Sequence, residues 1–171
     1  MTERGNTSAQ SKGRSDRGTP RQGQRHWFVE SLPRNILADT GPIFALIHAG
    51  DADHGRAVQF ARGFAGRLIT TWPVLTEVSY LLDQSDRRGV AVLFDMILDG
   101  HLSVAEIDSA DVRYMRALRE KYKTMDLADA SLVAIGERLG VLDVITIDRR
   151  DFLRYRTRAS RAFVNHFPEA G

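Results

Sequence analysis

The chain has 171 residues, 43% hydrophobic and 27% charged, which allows one buried core plus some additional length. It has no cysteine, which excludes disulfides, thiolate metal sites and cysteine nucleophiles and fits a reducing cytoplasm. The net charge is +2, but residues 1–34 carry seven Lys/Arg against three acids, so that segment is +4 and the remainder −2, and net charge alone makes no case for nucleic acid.

Residues 1–25 contain almost no large apolar side chain and are expected to be a disordered basic extension ahead of a domain spanning 26–171. The extension reads either as an RNA-binding arm or, more plainly, as a tail of no consequence. Trp27 and Phe28 are expected at the domain edge. No secretory h-region is visible there, and no apolar run approaches the ~20 residues that span a bilayer. A cytoplasmic protein without membrane attachment is therefore expected.

Ile36, Leu37 and Ala38 read as a first strand ending at Asp39 and Thr40, and Gly41-Pro42 then opens a helix with Ile43, Phe44, Leu46 and Ile47 on one stripe. Asp51, Asp53 and Gly55 mark a turn before a second helix carrying Ala57, Val58, Phe60 and Ala61. The second strand is 68–71. Pro73 opens a helix with Val74, Val78, Leu81 and Leu82 inward, and 86–99 is a helix with Val90, Leu93, Phe94 and Ile97 at helical spacing. Period-two alternation predicts a third strand over 102–107. A helix over 110–122 turns Val112, Met115 and Leu118 inward, and another over 126–139 is closed by Gly140. Residues 144–147 form the fourth strand, ending at Asp148, and 162–164 the fifth. Phe44, Phe60, Leu93, Phe94 and Met115 are assigned to the core. Strands separated by helices predict right-handed crossovers and a mainly parallel α/β sheet.

Open α/β sheets bind ligands at the carboxyl ends of their strands. Asp39 and Asp148 end the first and fourth strands there. Glu77 and Asp129 fall in what read as first turns of helices, and the helix after the second strand starts at the same sheet edge as Asp39. Topology alone does not bring Asp129 there, because its helix leads into a strand. Carboxylates gathered in one place raise one another's pKa unless a cation neutralises them. All-oxygen donors favour Mg²⁺ or Mn²⁺, and such ions with water suit attack on a phosphodiester. No Ser-His-Asp set is apparent. His26, His48, His54, His101 and His166 are scattered, without zinc-ligand spacing.

The strand-ending Asp-Thr-Gly at 39–41, Thr-Glu-Val at 76–78, Asp-Leu-Ala-Asp-Ala-Ser at 126–131 and Thr-Ile-Asp-Arg-Arg-Asp-Phe at 146–152 resemble, in order and spacing, the PIN-domain pattern. The likeness runs over about 35–167 and is nearest to VapC-like toxins of type II toxin–antitoxin systems. It implies a PIN-like three-layer fold with sheet order 3-2-1-4-5 flanked by helices, which sets the first and fourth strands side by side and supplies the missing placement of Asp129. It also implies a metal-dependent endoribonuclease toxin, with Asp39, Glu77, Asp129 and Asp148 as the catalytic and metal-holding acids. A cognate antitoxin and a homodimer are expected on the same ground, as is RNA rather than DNA as substrate.

Each residue also has a plainer reading. Asp39 suits an N-cap, Glu77 a helix dipole, Asp126 with Asp129 a capping box, and Asp148 a turn. Asp126, Thr40 and Thr146 are auxiliary candidates, although Thr also suits strand ends. Arg149, Arg150, Arg154 and Arg156 form, with Arg158 and Arg161, a basic run beginning beside the acids. Those arginines suit RNA phosphates and Tyr155 among them a stacked base, or the run is simply a solvated face. A haloacid-dehalogenase-type phosphatase needs a second acid two residues after Asp39, where Gly41 stands; a response-regulator receiver needs adjacent acids after strand one, also missing. A catalytically silent PIN-like domain that binds RNA or a partner is the remaining alternative.

Overall fold

The computed structural model describes residues 32–169; the expectations for residues 1–25 and for Trp27 and Phe28 fall outside them. Five short strands, β1 (Asn35–Ala38), β2 (Arg67–Thr70), β3 (Leu102–Val104), β4 (Asp143–Ile145) and β5 (Val164–Asn165), form one sheet in the order β3-β2-β1-β4-β5. Every pairing is parallel, with Leu37 facing Ile69 on one side and Val144 on the other. Ile36, Leu37 and Ala38 are wholly buried, as a central parallel strand covered on both faces requires.

Helices α1 (Thr40–Ile47) and α2 (His54–Gly63) connect β1 to β2, and α3 (Trp72–Ser85) and α4 (Arg88–Leu98) connect β2 to β3. The chain then returns through α5 (Ser109–Lys121) and α6 (Leu127–Leu139) to β4, on the far side of β1. Because right-handed crossovers running in opposite directions place their helices on opposite faces, α1–α4 cover one face and α5–α6 the other. The direction of winding reverses between β1 and β4, which makes their carboxyl ends the switch point where open α/β sheets bind ligands.

Helix α6 is buried from Ala128 almost continuously to Gly136, and its small residues let it lie close to the sheet. A Cβ at Gly136 would stand 2.8 Å from both a Leu37 methyl and the Val141 carbonyl oxygen, so only glycine fits at that approach. Gly140, at φ +69°, closes the helix in the left-handed conformation that glycine adopts without strain.

Several boundaries and faces depart from expectation. The third strand stops at Val104, and the fourth covers 143–145, because the Thr146 backbone bonds the Asn165 side chain instead of a neighbouring strand. The fifth lies at Val164–Asn165; Ala162 pairs with Arg156 in an isolated antiparallel bridge. The arginine run contains a short helix, α7 (Arg149–Arg154). Val112 is 55% exposed: Asp111, one residue earlier, takes the inward position and binds Arg138, while Tyr114, Met115 and Leu118 complete the face. Phe94 and Leu81 also point outward, since Gly89 and Leu93 carry the inner face of α4, and Val74, Leu75, Val78 and Leu82 that of α3.

Candidate active site

Asp39 follows β1 directly, and its backbone N–H donates to the Ile145 carbonyl at the end of β4, 3.1 Å away. It caps α1: Oδ1 accepts from the Thr40 N–H at 2.7 Å, and Oδ2 accepts from the Thr146 hydroxyl at 2.7 Å. The carboxyl is thus fixed from both central strands. Burial pushes it up to about 6, against the hydrogen bonds from Thr146 and Thr40, and the charges of Asp126 and Glu77 push the same way.

Glu77 reaches the same place from α3. No acid occupies the first turn of that helix, so Glu77 lies beyond the reach of the dipole reading. Its Oε2 accepts from the Thr40 hydroxyl at 2.9 Å, and its pKa is raised by partial burial and by Asp126.

Asp129 comes from the opposite face of the sheet. The Thr71 hydroxyl, at the start of α3, lies 2.6 Å from that of Ser131, and Ser131 donates to the Ala128 carbonyl. With its one proton committed there, Ser131 accepts from Thr71. This fully buried link ties the N-cap of α3 to the start of α6, the two helices that carry Glu77 and Asp129. Asp126 caps α6, accepting from the Asp129 N–H at 2.8 Å. The reciprocal half of a capping box, present in α5 between Asp108 and Asp111, is not made here. The Asp129 carboxylate instead accepts from the Tyr155 hydroxyl at 2.8 Å. Burial raises Asp129 to about 7, with Asp126, Asp39 and Asp151 adding repulsion.

Asp148 stands differently. It is exposed and caps α7, accepting from the Asp151 N–H at 3.4 Å. The acids whose charges bear on Asp39 and Asp129 are Glu77, Asp126 and Asp151 together with each other. The structure therefore gathers Asp39, Glu77, Asp126 and Asp129, with Asp151 at the margin and Asp148 turned to its helix.

Tyr155 is 1% exposed, its ring enclosed edge-on by Tyr122 and Phe152, so it does not present a face for a base to stack on. That expectation is corrected: the long apolar ring fills the core and its polar end meets the site. The neighbouring arginines are partly engaged as well. Arg149 binds Glu169 and the Phe167 carbonyl, Arg154 pairs with Asp151, and Arg156 donates to the carbonyls of Leu153 and Tyr155. Arg150 is exposed. The roles of Thr71, Ser131 and Tyr155 were not legible in the sequence, where they lie far apart; the one available signal was that a buried tyrosine hydroxyl requires a partner.

Among the described residues, Asp39, Glu77 and Asp129 have no Lys, Arg or His ion-pair partner, and no three His, Asp or Glu side chains are already drawn together as a metal cage. Each carboxylate is held by neutral donors, which leaves its charge uncancelled. An all-oxygen set in this condition fits a hard divalent cation such as Mg²⁺ or Mn²⁺, which would take up oxygens not already bonded.

The PIN domain family model matches residues 36–157, the span that carries all these acids. The chain belongs to the PIN domain family. A curated relative, Ribonuclease VapC26 of Mycobacterium tuberculosis, is 27% identical over 127 residues, covering 71% of this chain and 92% of its own. Among solved structures, this PIN domain is similar to M. tuberculosis VapC20, a toxin that cleaves the sarcin-ricin loop, with TM-score 0.61 and 22% identity over 66% of this chain and 89% of that one. A toxin–antitoxin complex from Klebsiella pneumoniae matches with TM-score 0.53 and 23% identity, covering 70% of this chain and 91% of the matched chain. VapBC2 of Rickettsia felis, bound to a fragment of its promoter, matches at 0.50 and 13%, covering 68% and 89%.

Proposed function

We propose that this PIN domain is a metal-dependent endoribonuclease that hydrolyses RNA phosphodiester bonds and serves as the toxin of a type II toxin–antitoxin pair. The observation that carries the reading is that Asp39, Glu77 and Asp129 stand around the β1/β4 switch point, each held by a neutral hydroxyl and, among the described residues, without an ion-pair partner. The ribonuclease relative and the toxin neighbours support RNA as the substrate class and an antitoxin as partner.

In this reading Asp39, Glu77 and Asp129 hold Mg²⁺ or Mn²⁺, with Asp126 or Asp148 supplementing them. The cation would neutralise charge developing on the scissile phosphate and acidify an attacking water. The chain's own part is preorganisation. Thr146 and the Thr40 N–H fix Asp39 from both sides, and Thr40 pins one oxygen of Glu77, leaving Oε1 to orient or deprotonate the water. Exposed Arg150 and the partly engaged Arg149, Arg154 and Arg156 lie along the chain from the site and supply contacts to phosphates. An apolar groove of about 230 Å³ between α3 and α4, edged by Trp72 and Phe94, offers room for an antitoxin segment. A homodimer is part of this proposal, on the strength of the family resemblance, and light scattering tests it.

Incubating total RNA with the protein in Mg²⁺, Mn²⁺ or EDTA tests the proposal. Discrete fragments that need metal, and fall at least ~100-fold in Asp39→Asn while its fold persists, are expected. Equal cleavage by Asp39→Asn would sink the assignment; RNA binding with no cleavage under any metal favours the catalytically silent alternative. Matched DNA separates ribonuclease from general nuclease action.

A further inference from the structure

We propose that Tyr155 is a positioning residue for the divalent cation, its hydroxyl holding the Asp129 carboxylate so that Oδ1 remains the oxygen open to the metal. The inference rests on the metal-dependent reading above and assigns a new participant to it.

Three features carry it. The phenol is buried, its ring 5.2 Å from that of Tyr122 and 5.4 Å from that of Phe152, both edge-on. Phe152 in turn packs edge-on against Phe163. The Tyr155 backbone is held as well: its N–H donates to the Asp151 carbonyl at the end of α7, and its carbonyl accepts from Arg156. The hydroxyl therefore has little freedom, and its bond to Asp129 Oδ2, at 2.8 Å, spans 26 residues of sequence. Lastly, the Asp129 side chain has been released from helix capping: Asp126 serves the N–H of α6, and Asp129 does not bond back.

The choice of donor matters chemically. A guanidinium at this place would fix Asp129 but also neutralise it, competing directly with a cation. A phenol fixes the carboxylate and leaves its charge for the metal, as Thr146 does for Asp39 and Thr40 for Glu77. Three neutral hydroxyls from three different segments thus serve three acids. The alternative role, that Tyr155 merely fills the core, is separable because phenylalanine retains the ring and removes only the donor.

The test is Mn²⁺ binding by calorimetry to the full chain at neutral pH, alongside thermal melting. The proteins compared are wild type, Tyr155→Phe, Asp39→Asn and Phe152→Leu, the last altering the same aromatic cluster without touching a hydroxyl. Tyr155→Phe is expected to bind Mn²⁺ ~10–100-fold more weakly, and to regain wild-type cleavage when Mn²⁺ is raised to saturation. Phe152→Leu is expected to melt earlier yet bind Mn²⁺ nearly as wild type does. Undiminished Mn²⁺ affinity in Tyr155→Phe overturns the inference and leaves the nuclease reading intact, as does an equal loss in Phe152→Leu. Absence of Mn²⁺ binding by wild type, or its persistence in Asp39→Asn, removes the metal reading and this inference together.

Discussion

Thr146, placed just after β4, donates its hydroxyl to an oxygen of Asp39 that nothing else in the described structure serves. Replacing it by valine keeps the β-branched shape and removes the donor, leaving a half-buried carboxylate with one bond fewer. Removal of such outer partners typically weakens metal affinity or activity by ~10–100-fold. Thr146→Val is expected to lose cleavage in that range at limiting Mn²⁺, and Thr146→Ser to recover most of it; equal rates in all three proteins would exclude the clamp. Thr146 was legible as a neighbour of the acids because it precedes Asp148 on the same strand pattern, but its partner was not. Asp39 and the acid-bearing segments could likewise be read from local motifs. That Asp148 turns to cap α7, while Asp126 presses on the other acids, depends on a helix that the arginine-rich spacing concealed. Tyr155 was misread for a related reason: amid arginines it looks like a surface ring, and only the fold folds it inward.

At the scale of elements, the contact of α6 with β1 has no tolerance. Alanine at Gly136 improves helix propensity by about 1 kcal/mol. Its Cβ would nevertheless stand 2.8 Å from the Val141 carbonyl oxygen, a backbone atom that cannot rotate away. Overpacking of this kind costs about 1–3 kcal/mol, so the clash offsets the propensity gain or exceeds it. Gly136→Ala is therefore expected to lower the melting temperature by a few degrees, and a rise in melting temperature would show that α6 can move away. Strand and helix succession was readable here because buried β1 and buried α6 differ in length and punctuation: three apolar residues ended by Asp39 against a long run ended by Gly140. Faces were less readable. In α5, Asp111 lies inward with Arg138 and displaces Val112 outward, a tertiary pairing that hydrophobic periodicity cannot register. The sheet order followed from family resemblance, since alternating strands and helices do not by themselves say where the chain reverses.

At the scale of the molecule, gathering acids that have no counter-ion among the described residues links folding to pH and, in the proposed reading, to metal. Asp39 rises from 3.8 to about 6 and Asp129 from 3.8 to about 7, both chiefly through burial. Folded-state values above unfolded ones mean that the folded protein holds these protons more tightly. Their stabilising contribution is complete below about pH 4 and is lost as pH rises through about 6 to 7. In EDTA, the melting temperature is therefore expected to fall between pH 5.5 and 7.5, by an amount corresponding to roughly 2 kcal/mol after allowance for partial exposure. If the proposed metal reading holds, protons and cations compete for the same carboxylates, so Mn²⁺ is expected to restore the melting temperature at pH 7.5 and change it little at pH 5.5. Because the whole protein's stability varies with pH for many reasons, the decisive quantity is the difference between wild type and Asp39→Asn. That difference should grow with pH in EDTA, the neutral amide being relieved of a repulsion that the carboxylate feels, and should shrink or reverse when Mn²⁺ is added. A difference that stays constant across pH, with or without the cation, would mean that the acids at the β1/β4 switch point bear no strain for a metal to relieve.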